Sequence, residues 1–386
     1  MKSRLNIRTI VFISALLLLL TALNVYIGWH GSVLLGTVVP AFPQAVYWPV
    51  FLLFSFGYLF GRLVPLPKPL KPTGRLLKVL GSYYIGILEM SVILLPLVDI
   101  AAWIGWANGA DKDTFVSWAG GIVVGLLTIF LLVGSRNAWS TVTRTFDVRV
   151  DKKAGAIEKI RIAAASDLHL GNVVGNRHLG RLVERINAME PDVILLPGDV
   201  LDDAIEPFVR NDMASVLGKL KARFGVYAVL GNHEYFGGDI EEYVKRMSDV
   251  GITVLRDEKA IVADSFVVAG RKDRSAEQMD SSGRLETRDL LADVESAMPI
   301  ILMDHQPYQF DLAEAAGADV LLCGHTHRGQ FAPNHWVTKR LFELDWGYLR
   351  KGALHVIVSS GYGTWGPPLR IASRSEVIRV NVEFAR

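Results

Sequence analysis

Four long apolar runs fill the first part of the chain, and they constrain the fold more than any other feature. They cover residues 10–29, 46–64, 79–103 and 115–134. Each has about the 20 residues that a helix needs to cross the hydrocarbon core of a bilayer. An apolar content of 51% over 386 residues, with a mean hydropathy of +0.29, is also too high for a purely water-soluble protein. We therefore predict an all-α transmembrane domain of four helices in residues 1–145.

Basic residues predict how these helices are oriented, because lysine and arginine concentrate on the cytoplasmic side. The first loop, 31–45, has no charged residue, and the third has one lysine between two aspartates at 111–113. Three other segments are basic. The N-terminal tail contains Lys2, Arg4 and Arg8, and the second loop contains Arg62, Lys68, Lys71, Arg75 and Lys78. The segment after the fourth run contains Arg136, Arg144, Arg149, Lys152 and Lys153. Both termini and the C-terminal domain are thus predicted to be cytoplasmic. The first run is long and lacks a clear cleavage site, which favours a retained anchor over a signal peptide.

Two carboxylates, Glu89 and Asp99, lie inside the third apolar run. An ionisable group within a membrane is costly, so one interpretation is an ion or substrate path. The other is that Glu89 pairs within the helix bundle and Asp99 lies near the outer interface. We favour the second.

Charge and cysteine content limit the partners. The net charge is +2 and no basic run stands out in the C-terminal half, which disfavours nucleic acid as a partner. The single cysteine, Cys323, cannot form an internal disulfide and fits a reducing compartment.

From about residue 146 the pattern changes to short apolar runs that alternate with amphipathic stretches, which predicts a layered α/β or α+β domain over residues 146–386. Strands are predicted at 161–165, 193–196, 225–230, 299–303 and 319–322, and a helix at 179–189. Each strand ends in a turn that bears side chains able to bind a metal. They are Asp167, His169, Asp199, Asn232, His233, His305, His325 and His327.

These residue types suit a pair of cations. Carboxylates can bridge two ions, imidazoles bind borderline metals, and an asparagine carbonyl adds a neutral ligand. Glycines at 198, 231 and 324 would permit tight turns close to the site. Asp167 and His169, two residues apart, would point to one face if their segment is extended. If all eight side chains converge, they form a two-metal site for phosphate ester hydrolysis.

Each assignment has a plainer alternative. A histidine that ends a strand is usually packed or hydrogen-bonded, although five of nine histidines in ordered motifs favour a site. Asp304 would orient a ligand imidazole or be exposed, and Glu234 would make a structural hydrogen bond. The remaining candidates are Asp202 and Asp203, predicted as a solvated loop, and Arg328 and Arg370, predicted to form surface ion pairs rather than to contact a phosphate or lipid headgroup.

The ordered motifs resemble those of the calcineurin-like metallophosphoesterase superfamily. They read Asp167-Leu168-His169, Gly198-Asp199, Gly231-Asn232-His233-Glu234, His305 and Gly324-His325-Thr326-His327. The glycine-rich tail at 361–370 is similar to the membrane-associated branch, which includes transmembrane metallophosphoesterases and some UDP-diacylglucosamine pyrophosphatases. Arg328 and the segment 373–375 depart from the usual pattern of relatives, which bears on the substrate rather than on the chemistry.

The resemblance implies a four-layer sandwich of sheets and helices with two divalent metal ions, for which Mn, Fe and Zn all remain open. One metal would be held by Asp167, His169, Asp199 and His327, and the other by Asp199, Asn232, His305 and His325, with Asp199 shared. His233 would face the phosphate as proton donor or as positive charge.

The function predicted is a membrane-anchored phosphoesterase that cleaves a phosphoester or pyrophosphate bond of a lipid or lipid-linked precursor. Two alternatives are a transporter or sensor that uses the fold as a regulatory module, and a tethered phosphodiesterase of soluble substrates. The sequence leaves the natural substrate, the oligomeric state and the role of the anchor open.

Overall fold

The computed structural model describes residues 6–64 and 66–386, so Lys2 and Arg4 of the predicted basic tail lie outside the described residues. The chain divides into two compact units, Met1–Val133 and Gly134–Arg386.

Among the described residues of the N-terminal part, three helices are long and apolar enough to cross a membrane. The predicted second crossing, 46–64, is instead two shorter helices that meet at Phe56. Three of the predicted membrane helices are thus supported, and the fourth crossing stays a prediction. The helices are α1 (Ile7–Val38), α2 (Gln44–Ser55), α3 (Gly57–Leu63), α4 (Lys71–Ala107, preceded by a 3-10 turn at Lys68–Leu70) and α5 (Lys112–Trp139).

Helix α3 packs closely against α4 through glycines. Gly57 and Gly61 are four residues apart and share one face of α3. A Cβ atom on Gly61 would overlap the backbone oxygen of Gly74, and one on Gly81 would overlap the backbone of Tyr58. Small residues at this spacing let membrane helices approach through their backbones, where van der Waals contact holds them together.

Asp99 of α4 contacts two side chains of α1. The Tyr26 hydroxyl donates a hydrogen bond to its carboxylate, and Nε2 of His30 lies 3.3 Å from Oδ1. Asp99 therefore has partners that neither interpretation of the sequence had included.

Two six-stranded mixed sheets form the frame of the C-terminal unit, with strand orders β1-β12-β2-β3-β4-β5 and β10-β11-β9-β8-β7-β6. The strands β2, β3, β4 and β5 run parallel, as do β7, β8, β9 and β11. The bounds are β1 (Val142–Val150), β2 (Lys159–Ala164), β3 (Val193–Pro197), β4 (Val226–Val229), β5 (Ile252–Leu255), β6 (Glu258–Val262), β7 (Phe266–Gly270), β8 (Ile300–Met303), β9 (Val320–Cys323), β10 (Gly347–Lys351), β11 (Leu354–Val358) and β12 (Glu376–Phe384).

Helices connect these strands: α6 (Asn176–Asn187), α7 (Glu206–Arg210), α8 (Met213–Leu217), α9 (Asn232–Gly237), α10 (Ile240–Asp249), α11 (Ala276–Met279), α12 (Thr287–Leu291), α13 (Phe310–Ala315) and α14 (His335–Leu341). The five predicted strands and the predicted helix at 179–189 are confirmed to within a few residues as β2, β3, β4, β8, β9 and α6. The predicted α/β class is confirmed as well.

Alternate residues of the central strands enter different cores. Leu195 of β3 joins Ile301 and Leu322 of the second sheet in a core that draws on both sheets. Its neighbour Ile194 packs instead with Leu182 of α6. A third core joins the second sheet to α12 and α13. This alternation follows from the two-residue period of a strand, and it places apolar side chains on both faces of each sheet.

Replacing Leu195 by alanine should destabilise the C-terminal unit by about 2–5 kcal/mol, because it leaves a cavity in a fully buried core. Chemical unfolding of the detergent-solubilised full chain would measure the change. Leu312 of α13 is 46% exposed, so Leu312→Ala is the control and should change the free energy of unfolding by about 0.5 kcal/mol or less. Equal effects from the two variants would contradict this description of the core.

Candidate metal centre

The carboxyl ends of parallel strands bring all eight predicted site residues together. Strands β2, β3 and β4 of the first sheet lead into the turns with Asp167 and His169, Asp199, and Asn232 and His233. Strands β8 and β9 of the second sheet lead into His305 and into His325 and His327. Because both sheets present these ends to one region, residues up to 160 apart in the chain share one buried cluster.

Three overlapping groups within the described part of the chain could each hold a cation. The ligand atoms of Asp167, His169 and His327 lie within 4.8 Å of one another. The same limit holds for Asp199, His305 and His325, and also for Asp199, His169 and His233. Metal–ligand bonds of about 2.0–2.2 Å place two ligand atoms of one ion at most about 4.4 Å apart, so these spacings fit cations with little movement.

Asn232 completes the second group. Its Oδ1 lies 2.9 Å from Nδ1 of His325, so an amide oxygen and an imidazole nitrogen face the same point. The Nε2 atoms of His169 and His327 are likewise 2.9 Å apart. The mixture of nitrogen and oxygen donors is the type that borderline divalent metals bind.

His305 gives the sharpest test of whether a cation fits. Its Nδ1 lies 2.8 Å from the backbone oxygen of Pro197, which can only accept, so Nδ1 carries the proton. In the neutral ring, Nε2 then presents a lone pair to Oδ2 of Asp199 at 3.0 Å. Two acceptors at this distance require a second proton or a cation near both. The buried Nδ1 of His169 also lacks a hydrogen-bond partner among the described residues.

The backbone that carries the cluster is left-handed rather than extended. Five of its residues have positive φ, and they are Asp167 (53°), His169 (45°), Asp199 (51°), His325 (73°) and His327 (48°). The extended geometry predicted for residues 167–169 is therefore wrong. The side chains converge because tight turns aim them inward. Such conformations cost about 1–3 kcal/mol each and persist only because the surrounding structure holds them.

Two glycines allow the turns to come this close. A Cβ atom on Gly231 would overlap the carboxylate of Asp199, and one on Gly324 would overlap that of Asp167. The backbone N–H groups beyond them then hold these carboxylates. His233 donates to Oδ1 of Asp199 and His325 donates to Oδ1 of Asp167, both at 2.9 Å.

Burial keeps several imidazoles in the neutral form that binds metals. It lowers the pKa of His169 to about 3 and the pKa of His325 to about 4, and it lowers the pKa of His327 well below its usual range. Burial also raises the pKa of Asp167 to about 6. A neutral imidazole has a free lone pair, so these three histidines can accept a cation without first releasing a proton.

His233 differs from the other histidines because Asp203 faces it. Nδ1 of His233 donates to Oδ1 of Asp203 at 2.7 Å. Burial disfavours the charged ring, but this hydrogen bond and the nearby carboxylates outweigh it and raise the pKa of His233 to about 9. The prediction that Asp203 belongs to a solvated loop is thus wrong, since its carboxylate orients His233 and favours its protonated form.

Glu234 makes the structural hydrogen bonds predicted for it. Its carboxylate accepts from the backbone N–H groups of Gly231 at 2.7 Å, Leu201 at 2.8 Å and Asp199 at 3.2 Å. One side chain therefore joins the turn after β3 to the start of α9.

Arg370 is fully buried, so the predicted surface ion pair is wrong. Its guanidinium donates to the backbone oxygens of Gly361 at 3.1 Å and Gly363 at 2.7 Å, and it lies 3.3 Å from Nδ1 of His327. It holds the glycine-rich tail against the cluster.

Two further predictions fail in the same region. Asp304 is buried and pairs with Arg271 at 3.1 Å and with Arg284, so it is neither exposed nor a partner of a ligand imidazole. The guanidinium of Arg328 lies over the ring of Trp346, 4.0 Å from its centroid, in place of the predicted surface ion pair.

Sequence reasoning missed two exposed aromatic side chains beside His233. Phe236 and Trp365 are each 58% exposed, and their ring centroids lie 5.9 and 6.3 Å from that of His233. For Trp365 the signal was its place in a turn rich in glycine and proline, where there is little core to bury an aromatic ring.

Gly231→Ala should disturb the cluster, because the added methyl group forces the Asp199 carboxylate to move. We expect a loss of about 1–3 kcal/mol in the free energy of unfolding together with weaker metal binding, measured by calorimetry and metal analysis. The control is Gly180→Ala within α6, where a Cβ atom meets nothing within 4 Å. That change should stabilise the helix by about 0.5–1 kcal/mol, and a stabilised Gly231→Ala protein would contradict the packing described.

Comparison with known proteins shows which family this chain is similar to. A family model described as calcineurin-like phosphoesterase matches residues 160–329. Two similar proteins are named "transmembrane protein with metallophosphoesterase domain". The Danio rerio protein is 30% identical to this chain, over 72% of this chain and 64% of its own length. The Bos taurus protein is 29% identical, over 79% of this chain and 72% of its own length. An uncharacterized metallophosphoesterase of Aquifex aeolicus is 31% identical over 62% of this chain and 93% of its own length. The chain belongs to the calcineurin-like metallophosphoesterases, and its two transmembrane relatives are consistent with their membrane-associated branch.

Proposed function

We propose that this protein is a membrane-anchored phosphoesterase that uses two divalent metal ions to cleave a phosphoester or pyrophosphate bond. The observation that carries the proposal is Asp199, whose carboxylate is close to the imidazoles of both candidate metal groups. Family membership supports the reaction class, and the long apolar helices support the membrane location.

The same contacts support a division of the ligands. Asp167, His169 and His327 would hold one ion, and Asn232, His305 and His325 the other, with Asp199 shared between them. Together the ions would supply the positive charge that activates a water molecule and neutralises the phosphate. The protein's own contribution is to hold these side chains in place through the Gly231 and Gly324 turns and the hydrogen bonds of Glu234.

His233 would act on the phosphate rather than on a metal. Because Nδ1 of His233 donates to Asp203, its Nε2 remains to face the cluster. The raised pKa of His233 favours a protonated ring. A protonated imidazole there can donate to the departing oxygen or stabilise negative charge in the transition state.

The membrane anchor favours a lipid or lipid-linked phosphate as substrate. The cluster of Tyr26, His30 and Asp99 is a candidate site for the alternative function of a transporter or sensor. Every proposed metal-ligand residue is present, however, which favours the phosphoesterase. The rival of a soluble-substrate phosphodiesterase predicts faster cleavage of cyclic nucleotides than of lipids. A panel of both substrate classes with metal-loaded full-length protein separates these functions.

We also propose the finer architecture that the sequence predicts. Helices α2 and α3 together span 44–63 and would make the fourth crossing, with the catalytic domain cytoplasmic. The boundary between the anchor at 1–145 and the catalytic domain at 146–386 belongs to this proposal. The three apolar cores support a helix–sheet–sheet–helix order of four layers.

Asp199→Asn should abolish turnover and metal occupancy together, since the shared carboxylate contacts both groups. We expect kcat to fall by at least about 100-fold, to background, and elemental analysis to find the bound metal lost with it. Asp212→Asn is a matched control, because Asp212 is exposed and has a left-handed conformation that asparagine also adopts. Full activity in Asp199→Asn would refute the proposed function.

His233→Asn should separate chemistry from metal binding. We expect kcat to fall by about 100- to 10,000-fold while both metals remain bound. A proton donor matters most for a poor leaving group, so an alkyl phosphate ester should lose more activity than a nitrophenyl ester. Loss of metal in this variant would make His233 a ligand and contradict the role proposed for it.

A further inference from the structure

Helix α14, which follows the last histidine motif, has an apolar and basic surface that nothing in its own unit covers. Trp336, Val337 and Leu341 are 67%, 56% and 66% exposed. Lys339 and Arg340 are exposed as well. Three large apolar side chains on seven residues are unusual for a surface in water.

Helical geometry places most of these side chains on one face. At about 100° per residue, Trp336, Val337, Arg340 and Leu341 fall within an arc of about 140°. Thr338 and Lys339 lie about 60° beyond the two edges of this arc, and the Thr338 hydroxyl donates to the carboxylate of Asp345 at 2.7 Å. The helix is therefore anchored by its polar side and exposes its apolar side.

The charge of this segment is uniformly basic. No acidic residue occurs between 320 and 342. The next acid, Glu343, is already paired with Lys351 at 2.8 Å. Lys339 and Arg340 thus leave a positive surface beside the apolar one.

Contacts tie α14 to the candidate metal centre. Phe342 directly follows the helix, and its ring centroid lies 6.1 Å from that of His325. Thr326, between the two histidines of the last motif, donates to the backbone oxygen of Asp345, the residue that also holds Thr338. Whatever α14 binds is therefore brought close to the centre.

We propose that the exposed face of α14 binds the surface of an anionic bilayer and seats the mouth of the metal centre at the depth of the lipid headgroups. Tryptophan and leucine beside lysine and arginine are the chemistry of helices that lie in a membrane interface. This inference rests on the proposed hydrolysis of a membrane-bound phosphate and adds how that phosphate reaches the centre.

A helix of seven residues binds a membrane weakly when it is alone. Here the same chain carries helices long and apolar enough to span the bilayer, so docking is an intramolecular event at high effective concentration. Phe236 and Trp365, exposed beside His233, would extend the apolar contact at the mouth.

The test places an environment-sensitive fluorophore on α14 of the full-length protein through Val337→Cys. The native Cys323 is buried and should not react. The control is Ile261→Cys on β6, which is also apolar and 63% exposed. Both proteins are placed in nanodiscs of phosphatidylcholine, with or without phosphatidylglycerol. We expect a blue shift and quenching by nitroxide lipids at position 337 in the anionic discs, and neither at 261.

A charge reversal tests the basic contribution. A basic residue at an anionic surface favours binding by roughly fivefold, so Lys339→Glu with Arg340→Glu should lower the ratio of docked to undocked label by about 25-fold or more. The matched control is Lys219→Glu with Lys221→Glu, two exposed lysines that should leave docking unchanged. Thermal unfolding checks that both double variants fold.

Three results would overturn the proposal. The first is a label at position 337 that stays in water in anionic discs, and the second is equal quenching at positions 337 and 261. The third is a blue shift that grows with protein concentration in detergent without lipid, because it would indicate that a second copy of the chain is the partner. Because the readout needs no turnover, a docked but inactive protein contradicts the proposed function alone. An active protein that does not dock contradicts this inference alone.

Discussion

The buried carboxylate of Asp199 is the group on which the rest of the candidate centre depends. Only 2% of the residue is exposed to solvent. A buried negative charge is costly unless hydrogen bonds or positive charges compensate for the lost hydration. The backbone N–H of His233 supplies part of that compensation. A pair of divalent cations would supply the rest of the compensating charge. Shared binding of these cations would also explain why the neutral imidazoles face one another.

This demand explains features that would otherwise be costly. Left-handed turns at five polar residues and two glycines without room for a side chain all serve to bring candidate metal ligands from the two sheets into contact. Glu234 and Arg370 reinforce the same turns by hydrogen bonds to backbone atoms. Strain at the centre is held in place by the packed strands behind it.

Some of this could be read from the chain alone. Apolar runs with a strand-like length predicted β2, β3, β4, β8 and β9, and the ordered motifs predicted which side chains meet beyond them. The prediction failed where the answer depended on neighbours far away in sequence. Asp203 was expected in solvent, yet it contacts His233, and Asp304 pairs with two arginines that no local pattern connects to it.

The sequence by itself determined the type of each element and the identity of the proposed ligands, because hydrophobic period and residue chemistry are local properties. Only the tertiary structure decided the backbone conformation of the ligand turns, the burial of Arg370 and the break at Phe56 in an apolar run long enough for one helix. These features depend on close packing between segments distant in the chain, and a linear pattern carries no record of which segments will touch.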